Sequence, residues 1–174
     1  IFFDKKNERV RFFSPGGGTV THIEYGDRRA INGVEIKLDT QEEYETFEPM
    51  SPEGLAGMSA DKVKSRLLET CLWTFLKELP FRSIASPDKT PPAIYVALDD
   101  QEPFKPNPST YLDGSKDAFH FGVQVLKTLT DNVVVSCKDT SSELIKTLGG
   151  VVTHAITGDY PATDPAVVCY YNKK

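Results

Sequence analysis

The sequence predicts an α/β fold, in which a Rossmann-like parallel sheet with flanking helices follows a small β-module. Three observations support this prediction. Residues 1–38 alternate short apolar runs with turn residues, which is typical of short strands. After an acidic stretch, the apolar spacing changes to the 3.6-residue period of helices. From Ile94 onward, apolar runs and helical patterns alternate, and this order produces a parallel sheet with right-handed crossovers.

The β-module is predicted to contain strands at Arg9–Phe13, Thr19–Tyr25 and Ile31–Leu38. In the last of these, apolar residues at 34, 36 and 38 alternate with polar ones, as in a half-buried strand. Because three strands make a marginal sheet, further strands are expected in a missing N-terminal part. The glycine-rich segment 14–18 is compatible with a phosphate loop, but it lacks the lysine and the following helix. A turn between strands is therefore favoured.

From Asp39 to Leu55 the chain carries six acidic residues, no basic residue and two prolines. Such a composition is typical of a solvated, extended connection. We assign residues 39–58 to an acidic interdomain linker that buries no face, between the β-module at 1–38 and an α/β domain at 59–174.

The α/β domain is predicted to begin with a helix that Ser59 caps and Pro80 ends. Later, Thr140 and Glu143 form a capping box, and Gly149-Gly150 would close the helix that it opens. The other predicted elements are strands at Ile94–Leu98, Val133–Cys137, Val151–Ile156 and Ala166–Tyr171, and a helix at Lys116–Thr130.

The composition argues against nucleic acids and membrane spans. Twenty Lys and Arg residues against 25 Asp and Glu residues give a net charge of -5, the wrong sign for a protein that neutralises phosphates. The longest stretch without a charged residue, 147–158, is far shorter than the roughly 20 residues of a membrane-spanning helix. Membrane association is therefore expected only through another protein. The chain begins at Ile1 without a targeting pattern, as expected of a fragment.

Metal and redox chemistry also lack a local motif. The cysteines and histidines are dozens of residues apart and form no Cys-x-x-Cys pair or histidine pair with ligand spacing. We expect reduced, buried cytosolic thiols and no metal site. These residues are Cys71, Cys137, Cys169, His22, His120 and His154.

Nucleotide binding and hydrolytic catalysis are likewise disfavoured. No G-x-G-x-x-G motif follows the strand Ile94–Leu98, and the acidic segment 99–102 would repel a pyrophosphate. Asp99 and Glu102 do follow a strand end, where α/β folds place ligands, but a solvated acidic loop is favoured. No serine lies in a Gly-x-Ser-x-Gly elbow, and we predict no catalytic residue.

The densest aromatic stretch, residues 72–81, contains the only tryptophan. In a continuous helix, Trp73 would lie about 100° to the side of Leu72. There it would form one wall of an apolar groove near Phe81. The inward stripe would contain Leu72, Phe75, Leu76 and Leu79. Core or interdomain packing is favoured over ligand contact, but both interpretations stay open.

Several motifs, in the same order and spacing, resemble the NqrA family, which belongs to the sodium-translocating NADH:quinone reductase. This resemblance covers nearly the whole chain and weakens after Thr140. It implies the end of a barrel-sandwich domain followed by a Rossmann-like domain. The matching segments are Asp4–Asn7, Ser14–Val20, Gly26–Arg29, Val34–Ile36, Leu72–Ile84, Phe121–Leu126 and Val135–Lys138.

That family is in turn similar to the flavin-bearing NADH-oxidising subunit of respiratory complex I and to the C subunit of Rnf complexes. In those relatives a glycine-rich loop cradles the flavin phosphate. Here Cys71–Pro80 contains no glycine, so side chains on a continuing helix would occupy the space of the phosphate. The resemblance therefore implies no cofactor on this chain, with NADH and flavins bound by other subunits.

The resemblance implies a cofactor-free subunit of a complex that oxidises NADH, reduces ubiquinone and pumps sodium. We expect it on the cytoplasmic side of the bacterial inner membrane, peripheral through partner subunits, and not catalytic by itself. It would contribute to quinone binding and complex assembly. Alternatives are a scaffold without a ligand and an FMN- or NADH-binding oxidoreductase fragment. Apolar surface and hydrogen-bond donors for quinone occur together at Trp73, Phe75, Leu76, Lys77 and Phe81.

Overall fold

Two antiparallel hairpins form the first part of the protein. The computed structural model describes residues 1–98, 102–139 and 141–172. Strand β1 (Phe2–Asp4) pairs with β2 (Asn7–Phe12), and β3 (Gly18–Tyr25) pairs with β4 (Ile31–Leu38). Gly18 opens β3 because a Cβ at this position would collide with the Lys37 carbonyl oxygen. This close approach agrees with the turn interpretation of the glycine-rich segment.

The two hairpins differ in burial. Val10 of β2 is only 1% exposed, and it packs in one hydrophobic cluster with residues from the later helices. Every residue of β3 is exposed, whereas Val34 and Ile36 of β4 are half-buried. The first hairpin is thus part of the core, and β3–β4 forms an exposed ribbon.

The acidic stretch contains a short helix, α1 (Pro52–Ala56), which Ser51 caps by accepting a hydrogen bond from the Gly54 amide at 3.1 Å. Leu55 is buried in the cluster that contains Val10. The expectation that this stretch buries no face is therefore wrong, because one turn of helix is enough to direct a leucine inward. The division into two domains and a linker stays a prediction.

Helix α2 (Ala60–Glu69) begins as predicted, with the Ser59 hydroxyl accepting from the Lys62 amide. It ends well before Pro80, so the prediction of one long helix is wrong. The Thr70 hydroxyl donates to the Arg66 carbonyl at 2.9 Å, a local bond that competes with helix continuation. Cys71 then adopts a left-handed backbone conformation with φ of 59°.

A 3₁₀ turn and a small hairpin follow. The turn covers Leu72–Phe75, and the hairpin pairs β5 (Lys77–Glu78) with β6 (Ser83–Ile84). A backbone bond from the Ala85 amide to the Leu76 carbonyl, 2.9 Å long, extends this pairing. A turn and a β-hairpin, which we call the 77–84 hairpin, thus replace the predicted continuation of the helix.

A three-stranded parallel sheet forms the centre of the second part. Its order is β7 (Ile94–Leu98), β8 (Val133–Lys138) and β9 (His154–Ile156). Between β7 and β8 lie α3 (Pro108–Tyr111) and α4 (Lys116–Lys127), and α5 (Ser142–Thr147) lies between β8 and β9. The prediction of a parallel sheet with flanking helices is confirmed.

The boundaries of this sheet region agree with the sequence in most places. Gly149 and Gly150 follow α5 with positive φ values of 47° and 76°, as expected after a helix. The predicted strand at 151–156 is shorter and covers only β9. The acidic residues Asp99 and Asp100 and the proposed cap Thr140 lie outside the described residues.

The last element corrects another prediction. The sequence predicts a strand at Ala166–Tyr171, but these residues belong to helix α6 (Pro165–Tyr171). The Asp164 carboxylate accepts from the Ala166 amide at 2.8 Å, and Pro165 occupies the first helical turn, where its missing N–H costs nothing. These capping signals outweigh the strand propensity of the run that they precede.

Two hydrophobic clusters hold the fold together. One surrounds β8, of which residues 133–137 are all buried, and includes Val123 of α4 and Leu148 after α5. The other joins β2, α1, α2 and the 3₁₀ turn through Val10, Leu55, Val63, Leu68, Trp73 and Leu129. Asn7 donates a 2.9 Å hydrogen bond to Asp88, which also pairs with Arg9. Thus the first hairpin is attached both by apolar packing and by polar contacts.

Candidate functional site

Trp73 is buried, with 2% of its surface exposed. Its indole Nε1 donates a 2.8 Å hydrogen bond to the Ala85 carbonyl oxygen. Leu72 and Phe75, which the sequence predicts to face inward, are instead exposed. The orientation is inverted because the chain forms a 3₁₀ turn here, and the angular positions of an α-helix do not apply.

The 77–84 hairpin presents large apolar side chains to solvent. Phe81 lies in its turn and is 90% exposed, and Phe75, just before β5, is 78% exposed. Lys77 is also exposed, whereas Leu76 is half-buried and packs against the cluster around Trp73. The five predicted quinone contacts therefore divide into an inward pair, Trp73 and Leu76, and an outward group.

The tip of this hairpin is attached to the last helix. The Arg82 guanidinium pairs with the Asp164 carboxylate, and the same carboxylate caps α6. Arg82 has a left-handed φ of 54°, which is uncommon for a side chain of its size. The hairpin tip and the start of α6 are consequently held together, although 82 residues separate them in the sequence.

An open groove of about 590 Å³ lies along α6. Apolar side chains form most of its walls, and the Tyr170 and Tyr171 rings meet edge to face with centroids 5.2 Å apart. Its lining includes Pro161, Ala162, Ala166, Val167, Tyr170 and Tyr171. We call it the α6 groove. Sequence reasoning missed it because these residues were placed on a strand, although Asp164-Pro165 is a recognisable helix start.

The opposite side of α6 is anchored to the sheet. Val168 is buried, and the Tyr95 hydroxyl of β7 hydrogen-bonds with the side chains of Cys169 and Asn172. Burial raises the pKa of Tyr95 above its usual value, and the neighbouring Cys169 thiol adds to this increase. The helix therefore has one fixed face and one face that borders the α6 groove.

A second groove lies between the acidic stretch and α2, with Met50, Met58 and Lys62 among its lining residues. Its arginine, Arg66, is engaged within the protein. The guanidinium donates to the Glu48 carbonyl and lies 5.8 Å from the centre of the Phe47 ring. These contacts attach the acidic stretch to α2, so this groove has a structural explanation.

The described ranges give no sign of a metal centre or a membrane helix. In residues 1–98, 102–139 and 141–172, no three His, Cys, Asp or Glu residues are grouped so that they could hold a metal ion. Within those ranges, no helix has both the length and the apolar character that crossing a bilayer requires. Cys137 is buried, whereas Cys71 and Cys169 are only half-buried, which corrects the expectation of three buried thiols.

Comparison with known families assigns both parts of the chain. Residues 58–173 match the model of the NqrA second alpha/beta domain, and residues 1–39 match the NqrA N-terminal barrel-sandwich hybrid domain. The chain belongs to the NqrA family. The resemblance found in the sequence and the predicted α/β class with a small β-module are thereby confirmed.

Individual NqrA sequences agree with this assignment. The relatives in Alcanivorax borkumensis and Pseudomonas aeruginosa are 33% and 34% identical, each over 98% of this chain. The relative in Neisseria gonorrhoeae is 33% identical over 93% of the chain. All three are named as the NqrA component of Na(+)-translocating NADH-quinone reductase. The chain spans 36–38% of the length of these relatives.

Proposed function

We propose that this chain is part of a peripheral, cofactor-free subunit of a sodium-pumping NADH:ubiquinone oxidoreductase. It acts on the cytoplasmic side of the bacterial inner membrane, attached through partner subunits, and contributes to quinone binding and complex assembly. The names of its NqrA relatives support the reaction class. NADH oxidation and flavin chemistry then belong to other subunits, and this chain makes or breaks no bond.

The exposed aromatic side chains of the 77–84 hairpin are the observation that carries the quinone proposal. A single exposed apolar residue is ordinary, but Phe75 and Phe81 lie on one short, well-anchored segment. A quinone ring is flat and apolar, with two carbonyl acceptors. Phenylalanine faces can stack on such a ring, and the exposed ammonium of Lys77 can donate to a carbonyl oxygen.

The buried members of the predicted set support this contact from below. Trp73 ties the 3₁₀ turn to Ala85 through its indole, and Leu76 is joined to Ala85 by a backbone bond. At the other end, Arg82 is held by Asp164. A segment fixed at its base and its tip loses little conformational freedom when a ligand binds. Trp73 and Leu76 are thus positioning residues for the exposed aromatic rings.

Equilibrium dialysis with a short-chain ubiquinone tests this proposal. Phe75→Ala and Phe81→Ala should each raise Kd about tenfold, since one aromatic contact contributes roughly 1–2 kcal/mol. The matched control is Phe104→Ala, because Phe104 is a fully exposed phenylalanine outside the hairpin. Its Kd should equal that of the unmodified chain. Quenching of Trp73 fluorescence, corrected for inner-filter absorption, provides a second readout.

The outcomes separate the alternatives. Absence of saturable quinone binding, or unchanged Kd in both hairpin variants, would reject the hairpin as a quinone contact. FMN is titrated in parallel, because saturable FMN binding would revive the flavoprotein alternative and contradict the cofactor-free assignment.

A scaffold without a ligand is the second candidate, and the β3–β4 ribbon favours it. An isolated two-stranded ribbon is marginally stable, yet this one exposes apolar side chains such as Tyr25, Ile31 and Leu38. Co-purification with the membrane-spanning subunits should weaken when Ile31 is replaced by Lys. A scaffold would lose partner binding in this variant and show no quinone response in any variant.

A further inference from the structure

The α6 groove has the chemical character of a site for a neutral aromatic ring. Its walls are largely apolar, and the two tyrosines that border it carry phenol hydroxyls that can donate hydrogen bonds. Its volume of about 590 Å³ lies within the range of about 300–1,000 Å³ typical of small-molecule sites. Asp159 also lines the groove, and its carboxylate would disfavour an anionic ligand such as a nucleotide.

The α6 groove adjoins the 77–84 hairpin. Asp164, the partner of Arg82, lies in the chain between Ala162 and Ala166, which both line the groove. Phe81 immediately precedes Arg82 in the hairpin turn. The ion pair therefore places an exposed phenylalanine near the rim of an apolar groove that offers hydrogen-bond donors.

We propose that the α6 groove binds the ring of the quinone, with the tyrosine hydroxyls donating to its carbonyl oxygens and the hairpin contributing apolar surface. This assignment rests on the quinone binding proposed above and names Tyr170, Tyr171 and Val167 as ligand contacts. The hairpin and the groove then form one binding surface. Arg82 and Asp164 act as positioning residues that hold its two sides together.

The fixed inner face of α6 suits such a role. Val168 is buried, and Cys169 and Asn172 hydrogen-bond with Tyr95 on the central sheet. A helix held in this way keeps its outer aromatic rings in a defined place before a ligand arrives. A preorganised site of this kind loses less entropy on binding.

The test uses the whole 174-residue chain and equilibrium dialysis with a short-chain ubiquinone. The double variant Tyr170→Phe, Tyr171→Phe removes the hydroxyls and keeps the rings, and it should raise Kd about tenfold. Val167→Trp fills the groove and should raise Kd by at least about tenfold. Tyr25→Phe is the control, because Tyr25 is an exposed tyrosine at the end of β3, and its Kd should not change.

Circular dichroism spectra and melting curves of every variant show whether the fold is intact. Val167 is half-buried, so a tryptophan there can perturb folding. The tyrosine variants are conservative and exposed, and they keep the test decisive if Val167→Trp does not fold.

Each result bears on a different claim. Weaker quinone binding in the tyrosine variants, with normal binding in Tyr25→Phe, supports the groove. Unchanged binding in the tyrosine variants and in a folded Val167→Trp, together with weaker binding in Phe81→Ala, overturns the groove and leaves the proposed function standing. No quinone binding by the unmodified chain rejects the proposed quinone function and the groove with it.

Discussion

The burial of Trp73 predicts a large loss of stability when its indole is shortened to a phenyl ring. Trp73→Phe removes the N–H that bonds to the Ala85 carbonyl at 2.8 Å, and losing the partner of a buried polar group costs about 1–3 kcal/mol. The smaller ring also leaves a partial cavity, at about 1 kcal/mol on the scale of complete Trp-to-Ala truncation. We therefore expect a decrease of about 2–4 kcal/mol, a large part of a typical stability of about 5–15 kcal/mol.

Urea denaturation followed by far-UV circular dichroism measures this change, because the substitution removes the only tryptophan of the chain. The matched control is Phe75→Ala, two residues away on the same turn but 78% exposed. It should change the unfolding free energy by less than about 0.5 kcal/mol. An equally small loss in Trp73→Phe, or a comparable loss in Phe75→Ala, would refute the buried-indole arrangement and favour a helix with Phe75 inward.

Two further predictions concern the core and the sheet. Val10→Ala should reduce the unfolding free energy by about 2 kcal/mol, because two buried methyl groups are lost from a closed cluster, whereas the exposed Val20→Ala should change it little; equal losses in urea denaturation would place Val10 outside the core. Tyr95 has a raised pKa, mainly through burial, so its contribution to stability is fully present below the unfolded-state pKa of about 10 and decreases as pH rises toward the folded-state value. Denaturation at about pH 9 and about pH 10.5 should therefore show a smaller decrease for Tyr95→Phe than for the unmodified chain, and an identical decrease would contradict the raised pKa.

The end of α2 shows where periodicity alone fails. Apolar residues recur every fourth position from Val63 through Cys71 to Leu79, and this pattern predicts a helix up to Pro80. The chain instead leaves the helix after Glu69, where Thr70 bonds back to Arg66 and Cys71 turns left-handed. A period describes which residues could share a helical face, but it contains no information about competing local bonds or distant packing.

The last helix shows the reverse error, in which propensity receives more weight than capping. Valine, cysteine and tyrosine between 166 and 171 favour a strand, and this propensity predicts one. Asp164 followed by Pro165 is a strong helix start, and the carboxylate does cap α6. The signal for the correct element, and for the groove beside it, is therefore present in the two residues before the run.

The amino-acid sequence by itself determined the strands Ile94–Leu98 and Val133–Cys137, the turns of the β-module and the family, because these depend on local composition and on motif order. Tertiary structure alone decided that Trp73 faces inward, that Val10 joins the core of the helical part, and that Arg82 brings the hairpin to α6. These contacts join residues far apart in the chain. Their free energy comes from burial and pairing that exist only after the chain has closed on itself, so no local pattern contains it.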